Sequence, residues 1–285
     1  MSCVCVETAT LCPTGWDTVL VRNGDELSVI ERAFRVLEAF AGGAPELTLH
    51  ELMTFTDLSR STVHRLATQL VGVGALERSH RGWALGTHMF ELGQLVAREQ
   101  RLRERALAYM QDLYAATGET VQLAVADADS VLYVEIISGH RKVASPSRRG
   151  GRMPMHCTAL GKVLLAFSVD GGRAFLSRSS PFGALTAHTI TEPDALRREL
   201  NTVRADQLAY DREEAAIGLV CVAAPIFDTD ATLAAALSVS MPVAGQVTPM
   251  EVAPAVRTVA RALSRDHKLA LGNVTRAAAA VTRDR

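Results

Sequence analysis

The sequence predicts an α+β chain made of two unlike parts, and three observations predict it. Residues 25–86 carry three short helical patterns followed by a turn-rich pair of short strands. From residue 106 onward, strand-like runs come in pairs joined by short polar turns: VQLAVAD with VLYVEII, then CVAAPIFD with TLAAALSVS. Helical patterns near 158–169, 192–206 and 252–271 stand apart from those pairs, so helices pack on an antiparallel sheet rather than alternate with parallel strands.

The bulk numbers bound the function. At 285 residues the chain is long enough for two domains, and 48% hydrophobic with 21% charged residues is ordinary globular composition. A net charge of −1 excludes a chain that coats nucleic acid without selectivity, so contact with a polyanion must come from a local patch. The longest uncharged stretch, ATLAAALSVSMPVAGQV (231–247), is broken by serine, proline and glycine, and neither a transmembrane helix nor a membrane partner is expected. The start, MSCVCVETATLCPTGWD, lacks the basic and apolar regions of a signal peptide, so the cytoplasm is the expected compartment. Five cysteines do not suggest a disulfide framework, and Cys3, Cys5 and Cys12 have no second pair or histidines nearby. No metal and no cofactor is expected.

Taken in order, residues 1–24 show no sustained periodicity and read as a loose leader. In LSVIERAFRVLEAF, Val29, Ala33, Val36, Leu37 and Phe40 recur at helical spacing, and AGGAPE breaks the pattern. TLHE (48–51) pairs Thr48 with Glu51 in a capping box that opens a short helix through Phe55. A tight turn at Thr56 and Asp57 leads to a third helix beginning near Ser59. In that helix Val63, Leu66, Ala67 and Leu70 share one face, with Ser61, Arg65 and Thr68 opposite and Thr62, His64 and Gln69 on the flanks. ERSHRGWALG then fits a hairpin whose tip holds His80, Arg81 and Gly82. Residues 87–105 read as one linking helix, 106–272 as the sheet domain and 273–285 as a tail.

Short helix, tight turn, second helix and a basic hairpin is the order of a winged helix-turn-helix. Over residues 60–81, Arg60, Arg65, Arg78 and Arg81 gather against only Glu77. A cation, hydroxyls and free amides at a helix start suit phosphate oxygens and base edges, so Arg60, Ser61, Thr62, His64, Arg65, Thr68 and Arg81 are the candidates for contact with double-stranded DNA. An ordinary solvated helix face is the competing reading, against which the capping box, turn and hairpin weigh.

Residues 48–86, with DLSRSTVHRLATQLVGVGALERSHRGWALG, resemble the DNA-binding domain of IclR-type transcriptional regulators. GRMPMHCTALGKVLLA (151–166) and AYDREEAAIGLVCVAAPIFD (209–228) resemble the same family's effector-domain blocks, in the expected order, so that the likeness spans roughly residues 27–270. The resemblance implies a GAF-like effector domain, a small organic-acid or aromatic effector and a pseudo-palindromic operator with repression as the expected sign. It also implies a dimer or tetramer with contact through 87–105. Two positions depart from the family pattern: Asp57 stands where glycine is usual, and WALG where tyrosine and arginine are common.

In MHCTALGK a helix begins, and its first N–H groups are a natural seat for a carboxylate. The resemblance assigns effector contact to this turn, Thr158, Ala159 and Leu160, and to Asp211 and Cys221 of the second block. Ser238 and Ser240, one residue apart in a strand, point to one face and join them. Structural readings stand beside each: Thr158 as an N-cap, Asp211 as a turn cap, Cys221 as a small hydrophobe, His156 as a core imidazole, and the serines as partners of backbone groups. Arg148, Arg149 and Arg152 either attract an acid or form a solvated loop. The alternative function is a thiol or metal-dependent small-molecule hydrolase using Cys221, His156 and Asp211. The spacing carries no catalytic signature, and no enzymatic activity is expected.

Overall fold

The computed structural model describes residues 27–140, 145–177, 181–228 and 230–281, with backbone alone for 97–99 and 267–281. The leader 1–24 and its three cysteines lie outside the described residues. The chain divides into two units, at residues 94 and 95.

In the first unit, capping chemistry sets the helix starts. Ser28 caps α1 (Val29–Glu38) in a complete box with Glu31, an S-x-x-E signal that adds to the helical spacing of the apolar residues. Val36 and Phe40 are buried, whereas Val29, at the exposed start of the stripe, is not. Thr48 caps α2 (Leu49–Thr56), accepting from the Glu51 N–H while Glu51 accepts from the Thr48 N–H. Asp57 ends α2 with φ of 54°, the left-handed conformation that aspartate tolerates better than most residues. Ser59 caps α3 (Arg60–Gly72), which buries Val63, Leu66 and Ala67 against Val36, Phe40, Leu52 and Trp83. The wing pairs β1 (Leu76–Arg78) with β2 (Trp83–Leu85), and Leu47 adds a bridge to Trp83. At the wing tip a Cβ on Gly82 would overlap the Leu47 carbonyl oxygen, so only glycine lets the two backbones approach.

The expected single helix over 87–105 is two: α4 (Thr87–Gln94) and α5 (Ala97–Thr117), interrupted at Leu95 and Val96. Gly93 sits at the end of α4, where its low helix preference weakens continuation.

The second unit is built on one antiparallel sheet in the order β5-β4-β3-β8-β7-β6. The strands are β3 (Thr120–Asp127), β4 (Ser130–Ile137), β5 (Arg152–Pro154), β6 (Ala209–Arg212), β7 (Leu219–Phe227) and β8 (Leu233–Pro242). β3, β4, β7 and β8 fall on the four expected runs; the two short edge strands were not foreseen. Period-two alternation gives the sheet two different faces. Val121, Leu123, Val222, Ile226, Leu237 and Val239 pack with α5 and with α9 (Pro249–Val281), whose helical backbone continues as far as Val281 into the stretch 273–285 expected as a tail. The opposite face carries Ala124, Ala209, Cys221, Ala223 and Ala236 beneath α6 (Ala159–Ala166), the single turn α7 (Arg173–Leu176) and α8 (Pro193–Asp206). Small residues leave room on that face.

Candidate functional site

On α3 the side opposite the core is open. Arg60, Ser61, His64, Arg65 and Thr68 are exposed and Thr62 is half-buried. The Ser59 hydroxyl lies 3.2 Å from Ser61 Oγ and 2.9 Å from Thr62 Oγ1, so a residue outside the predicted set organises the hydroxyls at the helix start. Thr68 Oγ1 donates to the His64 carbonyl at 2.8 Å, which occupies its proton within the helix. The His64 ring meets Trp83 edge-on at 6.1 Å, and the Arg78 guanidinium stacks 4.6 Å above the same indole. Arg81 is exposed at the wing tip, 3.9 Å from Glu51, a pair too solvated to hold it firmly. Ser59, Arg60, Ser61, His64 and Arg65 together line a shallow, open concavity.

In the second unit Thr158, Ala159, Leu160, Asp211, Cys221, Ser238 and Ser240 all line one crevice, together with Gln122, Tyr133, Ser145 and Ser147. Sheet register brings several of them together: Asp211 faces Cys221, Cys221 faces Ser240, and Gln122 faces Ser238. Thr158 is also the N-cap, its Oγ1 accepting from the Gly161 N–H at 3.0 Å. The N–H groups of Ala159 and Leu160 then remain as the open donors of α6 among the described residues. A Cβ on Gly161 would overlap the Met155 carbonyl, so glycine is what lets the helix start lie this close to the preceding chain.

The polar groups are satisfied in ways the sequence only partly predicts. Asp211 Oδ1 accepts from the Glu214 N–H at 2.7 Å and the Ala215 N–H at 3.4 Å, so it caps the following turn as well as lining the crevice. Burial, aided by the nearby Glu214 carboxylate, pushes the Asp211 carboxyl up to about 7 against the pull of its two N–H donors and Lys162. Ser238 and Ser240 bond to the Gln122 side chain rather than to backbone. Lys162, wholly buried and not singled out in the sequence, donates to Glu214 at 2.6 Å, Tyr210 O at 2.9 Å and Glu199 at 3.3 Å. It thereby ties α6 to α8 and to the β6 edge. Its signal in the sequence was a lone lysine inside ALGKVLLA.

Arg148, Arg149 and Arg152 do not line the crevice. Arg149 pairs with Glu135 at 3.2 Å and Arg152 pairs with Asp127, so those two charges are met by local carboxylates. Among the described residues no lysine, arginine or histidine is part of the lining.

The hydrolase alternative loses its geometry. His156 Nε2 bonds to the Gly183 carbonyl at 2.9 Å and its ring stacks on Phe182. Cys221 donates to Ser240 at 3.1 Å, and burial, followed by the neighbouring Asp211, pushes its thiol well above the usual range. A nucleophilic thiolate requires the opposite environment. Among the described residues no cluster of His, Cys, Asp and Glu could hold a metal ion, and no helix is long and apolar enough to cross a membrane.

A winged helix-turn-helix joined in one chain to an α+β unit with a polar crevice defines a ligand-responsive, DNA-binding transcriptional regulator. Residues 29–80 match the IclR helix-turn-helix domain, and residues 94–265 match the bacterial transcriptional regulator IclR C-terminal domain. The chain belongs to the IclR family of transcriptional regulators. It is 33% identical to the HTH-type transcriptional regulator KdgR of Dickeya chrysanthemi over 225 residues, covering 78% of this chain and 73% of that protein. It is 30% identical to the transcriptional repressor IclR of Escherichia coli (strain K12) over 226 residues, covering 76% and 81%. Among solved structures, an IclR homolog from Microbacterium hydrocarbonoxydans complexed with 4-hydroxybenzoate superposes with a TM-score of 0.74 at 31% identity, over 84% of this chain and 98% of that one.

Proposed function

We propose that α3 enters the major groove of a pseudo-palindromic operator, with Arg65, Ser61 and Thr68 toward base edges. Arg60, Thr62, His64 and the wing residue Arg81 then meet the backbone and groove walls. On this reading residues 25–86 bind DNA, 106–272 bind the effector, and 87–105 connect them and mediate a dimer or tetramer. The protein works in the cytoplasm as a repressor. The effector is a small organic or aromatic carboxylate, held by the Ala159 and Leu160 N–H groups and the Ser238 and Ser240 hydroxyls, with Thr158, Asp211 and Cys221 around it.

The convergence of Thr158–Leu160, Asp211, Cys221, Ser238 and Ser240 on one crevice carries this reading. The 4-hydroxybenzoate complex of the Microbacterium homolog and the repressor role in the name of the Escherichia coli relative support the ligand class and the sign. A coupling of about 1–3 kcal/mol between crevice and operator would change occupancy roughly 5- to 150-fold.

The test is fluorescence anisotropy with the DNA flanking the protein's own gene, at fixed salt, with and without a panel of aliphatic and aromatic carboxylates. The reading requires binding that outcompetes random DNA and that shifts with at least one carboxylate. Equal affinity for random DNA at every salt concentration would remove α3 from sequence recognition.

A further inference from the structure

Gln122 lines the crevice from outside the two effector-domain blocks. It lies on β3 opposite Ser238 of β8, with its side chain buried. Its Oε1 accepts from Ser240 Oγ at 2.9 Å and from Ser238 Oγ at 3.1 Å. Its Nε2 lies 2.7 Å from Ser147 Oγ, which in turn is 2.7 Å from Ser145 Oγ.

A serine hydroxyl has one proton to donate. Both hydroxyls that would hold a ligand carboxylate therefore already donate to an oxygen of this chain. That oxygen belongs to a carboxamide, which has the same planar shape as a carboxylate. The remaining space in the crevice is about what one water molecule needs. A ligand carboxylate that takes both serine protons must draw them from Gln122 Oε1, and rotation of the Gln122 side chain, which would make room for it, breaks the bond from Nε2 to Ser147.

We propose that Gln122 is an internal occupant of the effector crevice, displaced by an anionic ligand, and that its displacement frees the 145–147 segment. This rests on the crevice being the effector site. Gln122 then sets both affinity and selectivity, because every ligand competes with a tethered amide. It also converts occupancy into a local structural change, since the hydrogen bond that closes the segment and those that fill the serine site belong to one side chain.

The experiment uses full-length wild type, Gln122→Ala, Gln122→Glu and Ser238→Ala, titrated calorimetrically with 4-hydroxybenzoate and with acetate as probes. Gln122→Ala is expected to bind at least one probe about tenfold more tightly, the factor gained when a binding-competent state rises from a tenth to nearly all of the population. Gln122→Glu keeps the shape and the serine bonds but repels an anion, and at alkaline pH it should bind more weakly than wild type. Opposite shifts in the two variants would not come from loss of packing alone. Hydrogen exchange without ligand supplies a second readout: the backbone amides of Ser145 and Ser147 should exchange faster in Gln122→Ala than in wild type.

Wild type binding a probe that Ser238→Ala loses, with Gln122→Ala no tighter than wild type, would overturn the internal occupant and leave the effector site standing. Unchanged exchange in Gln122→Ala would overturn the coupling to 145–147. No probe binding to wild type or to Gln122→Ala would overturn the carboxylate crevice itself, and the internal occupant with it.

Discussion

The outward face of α3 and the crevice at the start of α6 are built by opposite means. Helix α3 exposes one continuous stretch, in which Ser59, Ser61, Thr62 and Thr68 bond to groups within four residues. The crevice is assembled across the sheet, and Gln122 meets Ser240 across 118 residues of sequence. One site is a surface that helical periodicity leaves uncovered. The other is a gap left by small side chains on one face of a sheet whose other face is filled with large aliphatics. Substitutions on the first surface should change partner affinity while sparing the fold. In the crevice, recognition and packing use the same atoms, so substitutions should move both.

The largest expected effect crosses that division from below. Leu66→Ala removes a wholly buried side chain under α3 and should cost the first unit about 2–5 kcal/mol. Calorimetry should show that unit melting early while ligand binding persists; loss of both together would mean that the two sites are not separable. Gly161→Ala is the corresponding change beneath the crevice. Overpacking against Met155 should destabilise the second unit by about 1–3 kcal/mol and abolish ligand binding. Retained ligand affinity would place the ligand elsewhere.

Arg65→Ala sharpens the comparison, because the side chain is exposed and its loss should leave the melting temperature unchanged. Operator affinity should fall by about 1–3 kcal/mol if it reads a guanine, measured at matched salt. An unchanged affinity removes Arg65 from the interface.

Asp211 should show the opposite coupling of recognition and stability. Burial pushes its carboxyl up to about 7 from an ordinary value of 3.8, so folding favours the neutral form. Its contribution to stability is fully present below the ordinary value and is lost as pH rises toward 7, after which it is constant. Lys162 and Glu214 act on it electrostatically, and it acts in turn on Cys157, Cys221 and Tyr133. The melting temperature of Asp211→Asn should therefore gain on wild type across that window, and an anionic ligand should bind wild type more weakly above it. Parallel pH curves for the two proteins would refute the assignment. The smallest effect is expected from Cys221→Ala, which alters ligand response modestly and leaves DNA binding intact; loss of a catalytic turnover in that variant would revive the hydrolase reading.

Legibility in the sequence followed the same division. The faces of α3, its start near Ser59, the Asp57 turn and the wing are legible in the sequence, because each depends on neighbours within a few residues. The same holds for Ser238 and Ser240 sharing a strand face. Gln122 could not be singled out, since in VQLAVAD it is one polar residue in an alternating strand and its partners are distant. Arg149 and Arg152 looked available for an acid because Glu135 and Asp127 lie on other segments. The break at Leu95 and Val96 interrupts a stretch whose amphipathic pattern continues, so periodicity alone did not reveal it.

By itself the sequence determined where the helices of the first unit and the four main strands lie, which side of α3 faces outward and which family the motifs belong to. Those properties come from backbone preference, capping and side-chain period, all of which act over short range. Only the tertiary structure decided that a carboxamide bonds both serines, that Lys162 is buried among carboxylates, and that burial raises the Asp211 carboxyl. Hydrogen-bond pairing and desolvation set these, and both depend on which distant segments the fold brings together.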